Sequence, residues 1–310
     1  ADAGFATREA GNGRGLVGAL AAVGAWRSND DWTYEAIAYR ERERWGTPRD
    51  VDRESVFAAA EAGYPTVWDT VDRVEDTAVC VPRTPGPVLF GIRGDERGAV
   101  EDVAGAIESE TVALRHTFVT NQGTDAHLQD WTLGDLEEGC SYRVDGTVVE
   151  APETREGGHV FFELGPGGCT EIGKREGVAA DGGSVRRCAA FEPTKRFRDR
   201  VRGLRAGDRV TVCGEVGDGT LKLEKFAVRD LVETEDATPT CGECGRSMES
   251  AGADQGYRCR DCGTRADGPV EKRLDRGLEV GWYEVPPVAR RHVAKPLVRG
   301  GFDAPIHPER

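Results

Sequence analysis

Hydrophobic residues recur at helical spacing directly after a glycine-rich turn near the start of the chain. The turn is Gly-Asn-Gly-Arg-Gly at positions 11–15, and the apolar residues that follow include Leu16, Leu20, Val23 and Trp26. Free backbone amides at such a helix start can hold an anion. Equally, the glycines can simply permit close packing of the loop. The pattern leaves both interpretations open.

Strand-like and helix-like runs are mixed in the remainder of the first 135 residues. A strand-like run at 88–94 precedes a predicted helix at about 97–110, and a second strand-like run covers 112–119. Mixed elements of this kind predict an α+β domain over residues 1–135.

A run of mostly polar or small residues, Thr-Asn-Gln-Gly-Thr-Asp-Ala-His-Leu, occupies positions 120–128 directly after the second of these strands. So many donors and acceptors are costly to bury unless something binds them. We therefore predict a binding site that includes Asn121, Gln122 and His127.

Five short β-rich runs bounded by glycine-rich turns follow, at about 142–149, 160–164, 185–191, 210–216 and 221–231. A polar, arginine-rich segment at 194–204 lies between the third and the fourth run. This order is typical of an OB-fold barrel, here predicted over residues 138–233. Arg186, Arg187, Arg196 and Phe197 place basic groups next to rings, a combination that binds phosphates while stacking bases. The alternative is a solvated arginine face above core phenylalanines.

The cysteine spacing gives the most specific chemical signal. Cys241, Cys244, Cys259 and Cys262 form two Cys-x-x-Cys pairs, and a glycine follows each pair. This spacing is typical of a zinc ribbon with four thiolate ligands, here predicted over residues 238–268. Two disulfides are the alternative, which a reducing compartment disfavours. The other cysteines are scattered and fit buried small apolar positions.

Composition adds two expectations. The chain of 310 residues has a formal net charge of -14, and only six of its 41 basic residues are lysines. Such an acidic surface with few lysines resembles proteins of salt-accumulating archaea, although an acidic protein from a GC-rich genome is the alternative. At molar salt the Debye length falls to about 3 Å, so the net charge does not exclude nucleic acid. No apolar run approaches the length that crosses a bilayer, so we predict a soluble cytoplasmic protein.

Several long motifs resemble one known family. They are the glycine-rich turn with Gly-Ala-Leu-Ala-Ala at 18–22, Tyr34-Glu35 with Ala38-Tyr39-Arg40, the polar run at 121–128, and Ala289-Arg290-Arg291-His292 with Lys295-Pro296-Leu297. Together they look like the archaeal tRNA(Ile) 2-agmatinylcytidine synthetases, in which an OB-fold and a zinc ribbon follow in the same order. The resemblance covers essentially the whole chain.

The resemblance implies a multidomain α+β enzyme with a kinase-like domain, a ferredoxin-like domain, an OB-fold and a zinc ribbon. It implies that ATP, with magnesium, phosphorylates the wobble cytidine of the AUA-decoding isoleucine tRNA and that agmatine then displaces the phosphate. Residues 1–135 are then expected to hold the ferredoxin-like domain with a remainder of the kinase-like module. Residues 269–310 are expected to form a basic C-terminal segment.

The same resemblance suggests roles for single residues. Asp69, Asp72 and Asp125 are candidates to hold the agmatine guanidinium or magnesium, since a carboxylate binds a guanidinium through paired hydrogen bonds. A flipped cytidine needs a pocket that reads its base edge, which Asn121, Gln122 and His127 can supply. The predicted phosphate or tRNA contacts are Gly13, Arg14, Arg40, Arg93, Arg290, Arg291, His292 and Lys295.

One family element is not found in the sequence. The Asp-Asp-Thr-Asp-Ser element that belongs to the family's ATP and metal site is nowhere in this chain. We therefore expect the N-terminal kinase segment to be missing and the chain alone to bind tRNA without completing agmatine transfer. The alternatives are a non-catalytic OB and zinc-ribbon protein that binds single strands, and a structural partner in an RNA-processing complex. The synthetase interpretation requires a preference for one folded tRNA, whereas a single-strand binder should bind any single strand with similar affinity.

Overall fold

The computed structural model describes residues 15–25, 29–134, 136–166, 185–253 and 255–310. The chain divides into two compact units. The first contains residues up to 129 together with 286–301 and 308–310, and the second contains 130–285 with 302–307. The predicted C-terminal segment 269–310 is therefore shared between the units and is not a domain of its own. No described helix combines the length and the apolar character that a bilayer crossing needs.

The first unit is built from one antiparallel sheet and two packed helices. Its elements are α1 (Gly15–Ala25), β1 (Thr33–Arg40), α2 (Arg53–Gly63), β2 (Val67–Trp68), β3 (Val71–Asp72), β4 (Thr77–Ala78), β5 (Val88–Gly94), α3 (Arg97–Ala106) and β6 (Val112–Thr120). Short 3-10 turns cover Arg42–Arg44, Asp125–His127, Pro287–Ala289 and Leu297–Arg299. The sheet has the order β2-β5-β1-β6, and β3 pairs with β4 in a separate hairpin.

Helices α2 and α3 pack on one face of this sheet. Ala36 and Ala38 of β1 alternate with outward residues and meet Phe90 and Ile92 of β5 across the ladder, all four fully buried. These residues form a core with apolar side chains of both helices, such as Val56 and Val100. Alternation leaves Glu35, Ile37 and Tyr39 on the opposite face of the sheet.

The second unit contains the barrel and the ribbon. Its elements are β8 (Ser141–Val148), β9 (Glu153–Thr154), β10 (Val160–Gly165), β11 (Arg186–Ala190), α4 (Phe197–Arg202), β12 (Arg209–Gly217), β13 (Thr220–Asp230), β14 (Thr234–Ala237), β15 (Glu249–Ser250), β16 (Tyr257–Arg258), β17 (Arg265–Ala266), β18 (Val270–Arg273), β19 (Gly281–Glu284) and β20 (Ile306–His307). Strand β7 (Leu128–Asp130) spans the sequence boundary of the units, and 3-10 turns cover Glu156–Gly158 and Glu192–Thr194.

Five strands close into a barrel, as the sequence predicts. They follow the order β11-β10-β8-β12-β13, and a parallel pairing of β11 with β13 closes the ring. Helix α4 lies between the third and the fourth barrel strand along the chain, within the predicted arginine-rich segment. Strands β19 and β20 then extend the sheet from β13.

A buried ion pair joins the barrel to the segment that follows the ribbon. Asp208 is fully buried and accepts two hydrogen bonds from the guanidinium of Arg276, at 2.9 and 2.6 Å. Arg276 also donates to the carbonyl oxygens of Val232 and Gly203. The strand pair β14–β18 begins next to this cluster and leads into the ribbon. Because every charge in the cluster has partners, burial of the pair is tolerated.

Candidate functional site

The C-terminal segment 286–301 completes the site in the first unit by packing against the polar run that follows β6. The backbone N–H of Gly123 donates to the carbonyl of His292 at 3.2 Å, and that of Lys295 donates to Asp125 Oδ1 at 2.7 Å. The sequence predicts both stretches as binding regions but gives no sign that they meet. Their contact gathers the predicted residues of two distant motifs into one place.

A tight turn fixes the polar run. Thr124 Oγ1 donates to the carbonyl of Asn121 at 2.6 Å and accepts from the N–H of Ala126 at 3.2 Å. Gly123 adopts φ +68°, and a Cβ there would lie 2.4 Å from the ring of Trp68. Only glycine fits this backbone so close to the indole.

Two strained residues face each other beside this turn. Asp69 and His292 are not glycines, yet they adopt φ values of 57° and 63°. Asp69 Oδ2 lies 3.1 Å from Arg290 Nε and 3.7 Å from His292 Nδ1, and the Asp69 and Arg290 side chains are 3% and 2% exposed. Left-handed residues held by their surroundings concentrate at functional sites. The guanidinium of Arg290, predicted to contact a tRNA phosphate, is buried against Asp69.

Polar atoms without partners surround the same pair. Within the described parts of the chain, no hydrogen-bond partner is found for the buried Trp68 Nε1, Thr70 Oγ1 or His292 Nδ1. The Trp68 and His292 rings lie 6.4 Å apart. Because buried polar groups are nearly always bonded, such a concentration indicates a place where water or a ligand binds.

Burial keeps His292 uncharged. Desolvation, with the nearby guanidinium groups of Arg93 and Arg290, lowers the pKa of His292 to about 3. The predicted contact of His292 with a tRNA phosphate therefore cannot come from an imidazolium at neutral pH. A neutral ring can still donate or accept one hydrogen bond.

This pKa predicts a pH dependence of stability. An unfolded histidine titrates near 6.5, so between about pH 6.5 and 3 the unfolded chain binds a proton that the folded chain does not. The stabilisation by His292 is full above about pH 6.5 and falls as the pH falls toward 3. We expect His292→Asn, which tolerates φ > 0, to flatten this loss in urea unfolding at pH 7, 6, 5 and 4.

His127→Asn is the matched control for that measurement, because His127 is exposed in the same unit. It should leave the pH profile unchanged. The ring proton signals of His292 should also stay constant between pH 8 and 4.5 in NMR spectra. A His292 signal that titrates near pH 6 would contradict the buried neutral ring.

Arg299 holds the polar run from the other side. Its guanidinium donates to both oxygens of Asp31, at 2.8 and 3.1 Å, to Asp95 at 2.5 Å and to the carbonyl of Gly123 at 2.7 Å. These acceptors raise the pKa of Arg299 against the effect of its burial. Arg299 therefore fixes the Gly123 turn to the sheet, a role that the sequence alone does not reveal.

The three predicted carboxylates do not converge on one site. Asp72 is fully buried and accepts from the N–H groups of Val74, Glu75 and Val288, so it organises its own turn. Asp69 is paired with Arg290, and Asp125 accepts the Lys295 N–H. Among the described residues, the zinc-ribbon cysteines form the only group of three or more metal-ligating side chains. The three carboxylates therefore do not act together, and a role of any one of them toward magnesium or agmatine stays a prediction.

Arg40 is also used within the fold. Its side chain is fully buried, donates to Glu110 at 2.8 Å and binds the carbonyl of Thr47 at 2.8 Å. Hydrogen bonds from Arg40 help to lower the pKa of Glu110 to about 2. The predicted phosphate contact by Arg40 is therefore wrong.

Other predicted contacts in the first unit remain accessible. Gln122, His127 and Arg291 are exposed, whereas Asn121, Lys295 and Arg93 are half-buried. Gly13 and Arg14 lie outside the described residues.

In the second unit, an aromatic cluster with arginines lies on the barrel. The Phe161 and Phe191 rings meet edge to face at 5.9 Å, and His159 packs on Phe191. The guanidinium groups of Arg155 and Arg187 lie 4.9 and 6.0 Å from the Phe161 ring. These half-buried rings beside arginines suit base stacking and phosphate binding.

The predicted stacking residue Phe197 is wrong, because it is fully buried against Phe226 in the barrel core. The predicted contact residues Arg186 and Arg196 are half-buried. The mistake has a physical cause, since a phenylalanine between arginines has the same local pattern on a surface as at the start of a buried helix.

The four ribbon cysteines form a metal centre. Their sulfur atoms all lie within 4.8 Å of one another, with separations of 3.3 Å for Cys241–Cys262 and 3.4 Å for Cys244–Cys259. Tetrahedral zinc with Zn–S bonds of about 2.3 Å places its sulfurs about 3.8 Å apart, so the cysteines fit this ion. Four thiolates leave no open position, so the zinc is structural.

Comparison with known proteins gives matches along the chain. A family model described as the TiaS FLD domain matches residues 13–127, and one described as the TiaS C-terminal zinc ribbon domain matches residues 238–278. The 2-agmatinylcytidine synthetase TiaS of Haloquadratum walsbyi, which acts on an isoleucine tRNA, is 56% identical over 96% of this chain and 70% of its own length. That of Methanosarcina mazei is 47% identical over 96% of this chain and 67% of its own length.

Solved structures give the same result. A crystal structure of TiaS in complex with an isoleucine tRNA and ATP aligns with a TM-score of 0.82 and 44% identity, covering 98% of this chain and 68% of that one. A complex of TiaS with the same tRNA, AMPCPP and agmatine aligns with a TM-score of 0.78 and 42% identity, covering 97% of this chain and 67% of that one.

Proposed function

Because this chain belongs to the TiaS family of tRNA(Ile) 2-agmatinylcytidine synthetases, we propose that it serves the ATP-dependent attachment of agmatine to the wobble cytidine of the AUA-decoding isoleucine tRNA. The observation that carries this proposal is the likeness, over 98% of the chain, to a TiaS bound to an isoleucine tRNA and ATP. Identity of 56% to a second TiaS over 96% of the chain supports it independently.

The proposed reaction has two steps. The γ-phosphoryl group of ATP is transferred to the wobble cytidine, which makes the base oxygen a leaving group. The primary amine of agmatine then attacks the base carbon, and phosphate leaves. Phosphoryl transfer depends on positioning and charge stabilisation around the γ-phosphate.

The described residues support a role in holding the RNA. Gln122, His127 and Arg291 are exposed around the polar run of the first unit. In the second unit, Phe161 with Arg155 and Arg187 offers rings beside positive charge. Contacts of this kind are salt-dependent where they reach phosphates, and they stack unpaired bases.

Finer assignments are part of the same proposal. We assign the four-stranded sheet with its helices to a ferredoxin-like domain and the closed barrel to an OB-fold. The acidic, lysine-poor composition and the identity to the Haloquadratum protein support an origin in a salt-accumulating archaeon. Assays are therefore best done at high potassium, where self-repulsion of the acidic surface is screened.

Binding selectivity tests the proposal against the alternative of a general single-strand binder. We expect the chain to bind the AUA-decoding isoleucine tRNA at least about tenfold more tightly than single-stranded DNA of equal length. The measurement is fluorescence anisotropy with competitor titration at fixed salt, since affinities for nucleic acids depend on salt. Arg187→Ala should weaken tRNA binding, and Arg97→Ala on the exposed face of α3 is the control. Equal affinity for tRNA and single-stranded DNA would favour the binding-module alternative.

A further inference from the structure

A cavity of about 390 Å³ opens on the sheet face of the first unit that the helices leave uncovered. Glu35 and Ile37 of β1 and Arg93 of β5 line it, together with the segment 79–88 that runs beside β5. The neighbouring residues Ala36 and Ile92 point to the helical face and are fully buried. The cavity shares Arg93 with the surroundings of His292, and the proposed function does not yet use its apolar part.

An ion pair forms its polar end. Glu35 and Arg93 are directly opposite each other in the β1–β5 ladder, and Arg93 Nη2 lies 2.6 Å from Glu35 Oε1. Their side chains are 13% and 23% exposed, so both are largely shielded from water. The buried Arg93 Nε has no hydrogen-bond partner among the described residues. A carboxylate has two oxygens and a guanidinium five N–H donors, so the pair retains capacity for a ligand.

The shape of the cavity depends on a glycine. Gly91 lies beside Glu35, and a Cβ at this position would come within 3.2 Å of Glu35 Oε1. Because Gly91 has no side chain, space remains beside the Glu35 carboxylate, whose neighbour on the same strand as Gly91 is Arg93. Arg49 donates to the carbonyls of Pro82 and Val88, at 2.7 and 2.8 Å, and so holds the covering segment in place.

The remaining walls are mostly apolar. Ile37, Val79, Pro82, Pro87 and Val88 line the cavity. Apolar walls with one donor–acceptor pair at the end suit a flat, uncharged ring that has complementary groups along one edge. A dication such as agmatine fits less well, because Arg49 and Arg93 are both cationic and Glu35 is the one carboxylate among the described lining residues.

We propose that this cavity receives the flipped wobble cytosine and that Glu35 and Arg93 read its Watson–Crick edge. Glu35 accepts from the exocyclic N4 amino group, and Arg93 donates to N3 or O2. Uracil presents an oxygen where cytosine has the amino group, so Glu35 repels it. The assignment rests on the proposed function and gives Arg93 a base contact in place of the phosphate contact that the sequence suggests.

Glu35→Gln tests the assignment, because it keeps the shape of the side chain and removes the charge. The probes are two anticodon stem-loop RNAs that differ only by C or U at the wobble position. A well-formed two-residue contact to a base discriminates by about 1–3 kcal/mol, or roughly five- to 150-fold. We expect the wild-type chain to prefer the C form at least about tenfold and Glu35→Gln to reduce the preference to about twofold or less.

Glu41→Gln is the matched control, since it makes the same charge change at an exposed position just after β1 and outside the cavity. It should keep the wild-type preference. If thermal unfolding shows that Glu35→Gln is poorly folded, Ile37→Phe replaces it. This variant retains the ion pair and narrows the cavity, so it should weaken binding of the C form by about tenfold.

Three outcomes would overturn the proposal. In the first, Glu35→Gln retains the full preference for cytidine, so the chain reads the base elsewhere and the proposed function stands. In the second, Glu35→Gln loses affinity for labelled agmatine while it keeps the cytidine preference, which makes the cavity an agmatine site. In the third, the wild-type chain prefers neither the C form nor the isoleucine tRNA, which contradicts the proposed function as well.

Discussion

Cys244→Ser should remove zinc from the protein and unfold the ribbon. Four cysteine sulfurs within 4.8 Å of one another form the centre, and the only described apolar core of this part consists of Cys241, Cys259 and Met248 with Tyr257 and Ala266 packed against it. So small a core cannot hold three two-residue strands without the metal. Structural zinc in small domains contributes about 10–16 kcal/mol, the largest single term expected here.

The measurement is zinc content by mass spectrometry together with limited proteolysis. We expect one zinc per wild-type chain, none in Cys244→Ser, and new cleavage sites confined to residues 238–268. Cys140→Ser is the matched control, because Cys140 is half-buried and lies outside the ribbon. Unchanged zinc content in Cys244→Ser would show that this cysteine is not a ligand.

Arg299→Ala should destabilise the first unit by about 2–4 kcal/mol. The substitution removes a side chain that is 7% exposed. Asp31, Asp95 and the Gly123 carbonyl then lose the hydrogen bonds that the guanidinium donates to them. Loss of one partner of a fully buried ion pair costs about 3–5 kcal/mol, and the value is smaller here because both aspartates are partly exposed. The unfolding midpoint should fall by roughly 5–15 °C.

Arg299→Lys should recover only part of the loss, since an ammonium group cannot reproduce a forked contact with two carboxylates. Arg97→Ala is the control, because it removes an exposed pair with Glu101 that should be worth less than about 1 kcal/mol. In Arg299→Ala, hydrogen exchange at the Gly123 amide should accelerate more than exchange at the other amides of the first unit. Equal exchange in both variants would contradict a role in holding the turn.

The sequence predicts the barrel and the metal ligands well because both signals are local. Each barrel strand is a short β-rich run between turns, and its observed bounds agree with the prediction within about two residues. The four cysteines need only their spacing to be recognised as a zinc site. The closing of the barrel by β11 and β13 follows from the same run order.

The candidate site in the first unit is predicted less completely because long-range contacts define it. Arg299 and Asp95 are 204 positions apart, and nothing in the pattern around either residue predicts their contact. Arg40 and Arg290 look like surface arginines until Glu110 and Asp69 are found beside them. A buried arginine needs an acidic partner, because burying an unpaired charge is costly. The sequence does not show which arginines are buried, so it does not predict these pairs.

Agmatine attachment itself is the most direct test of the proposed function. The native protein that carries this chain, purified from its own cells, is incubated with labelled agmatine, ATP and the AUA-decoding isoleucine tRNA at high potassium. The tRNA is then digested and its nucleosides are analysed by mass spectrometry. We predict label in a cytidine derivative at the wobble position, dependent on ATP and absent when that position is uridine. Tight tRNA binding without any ATP-dependent label at the wobble position would contradict the proposed function.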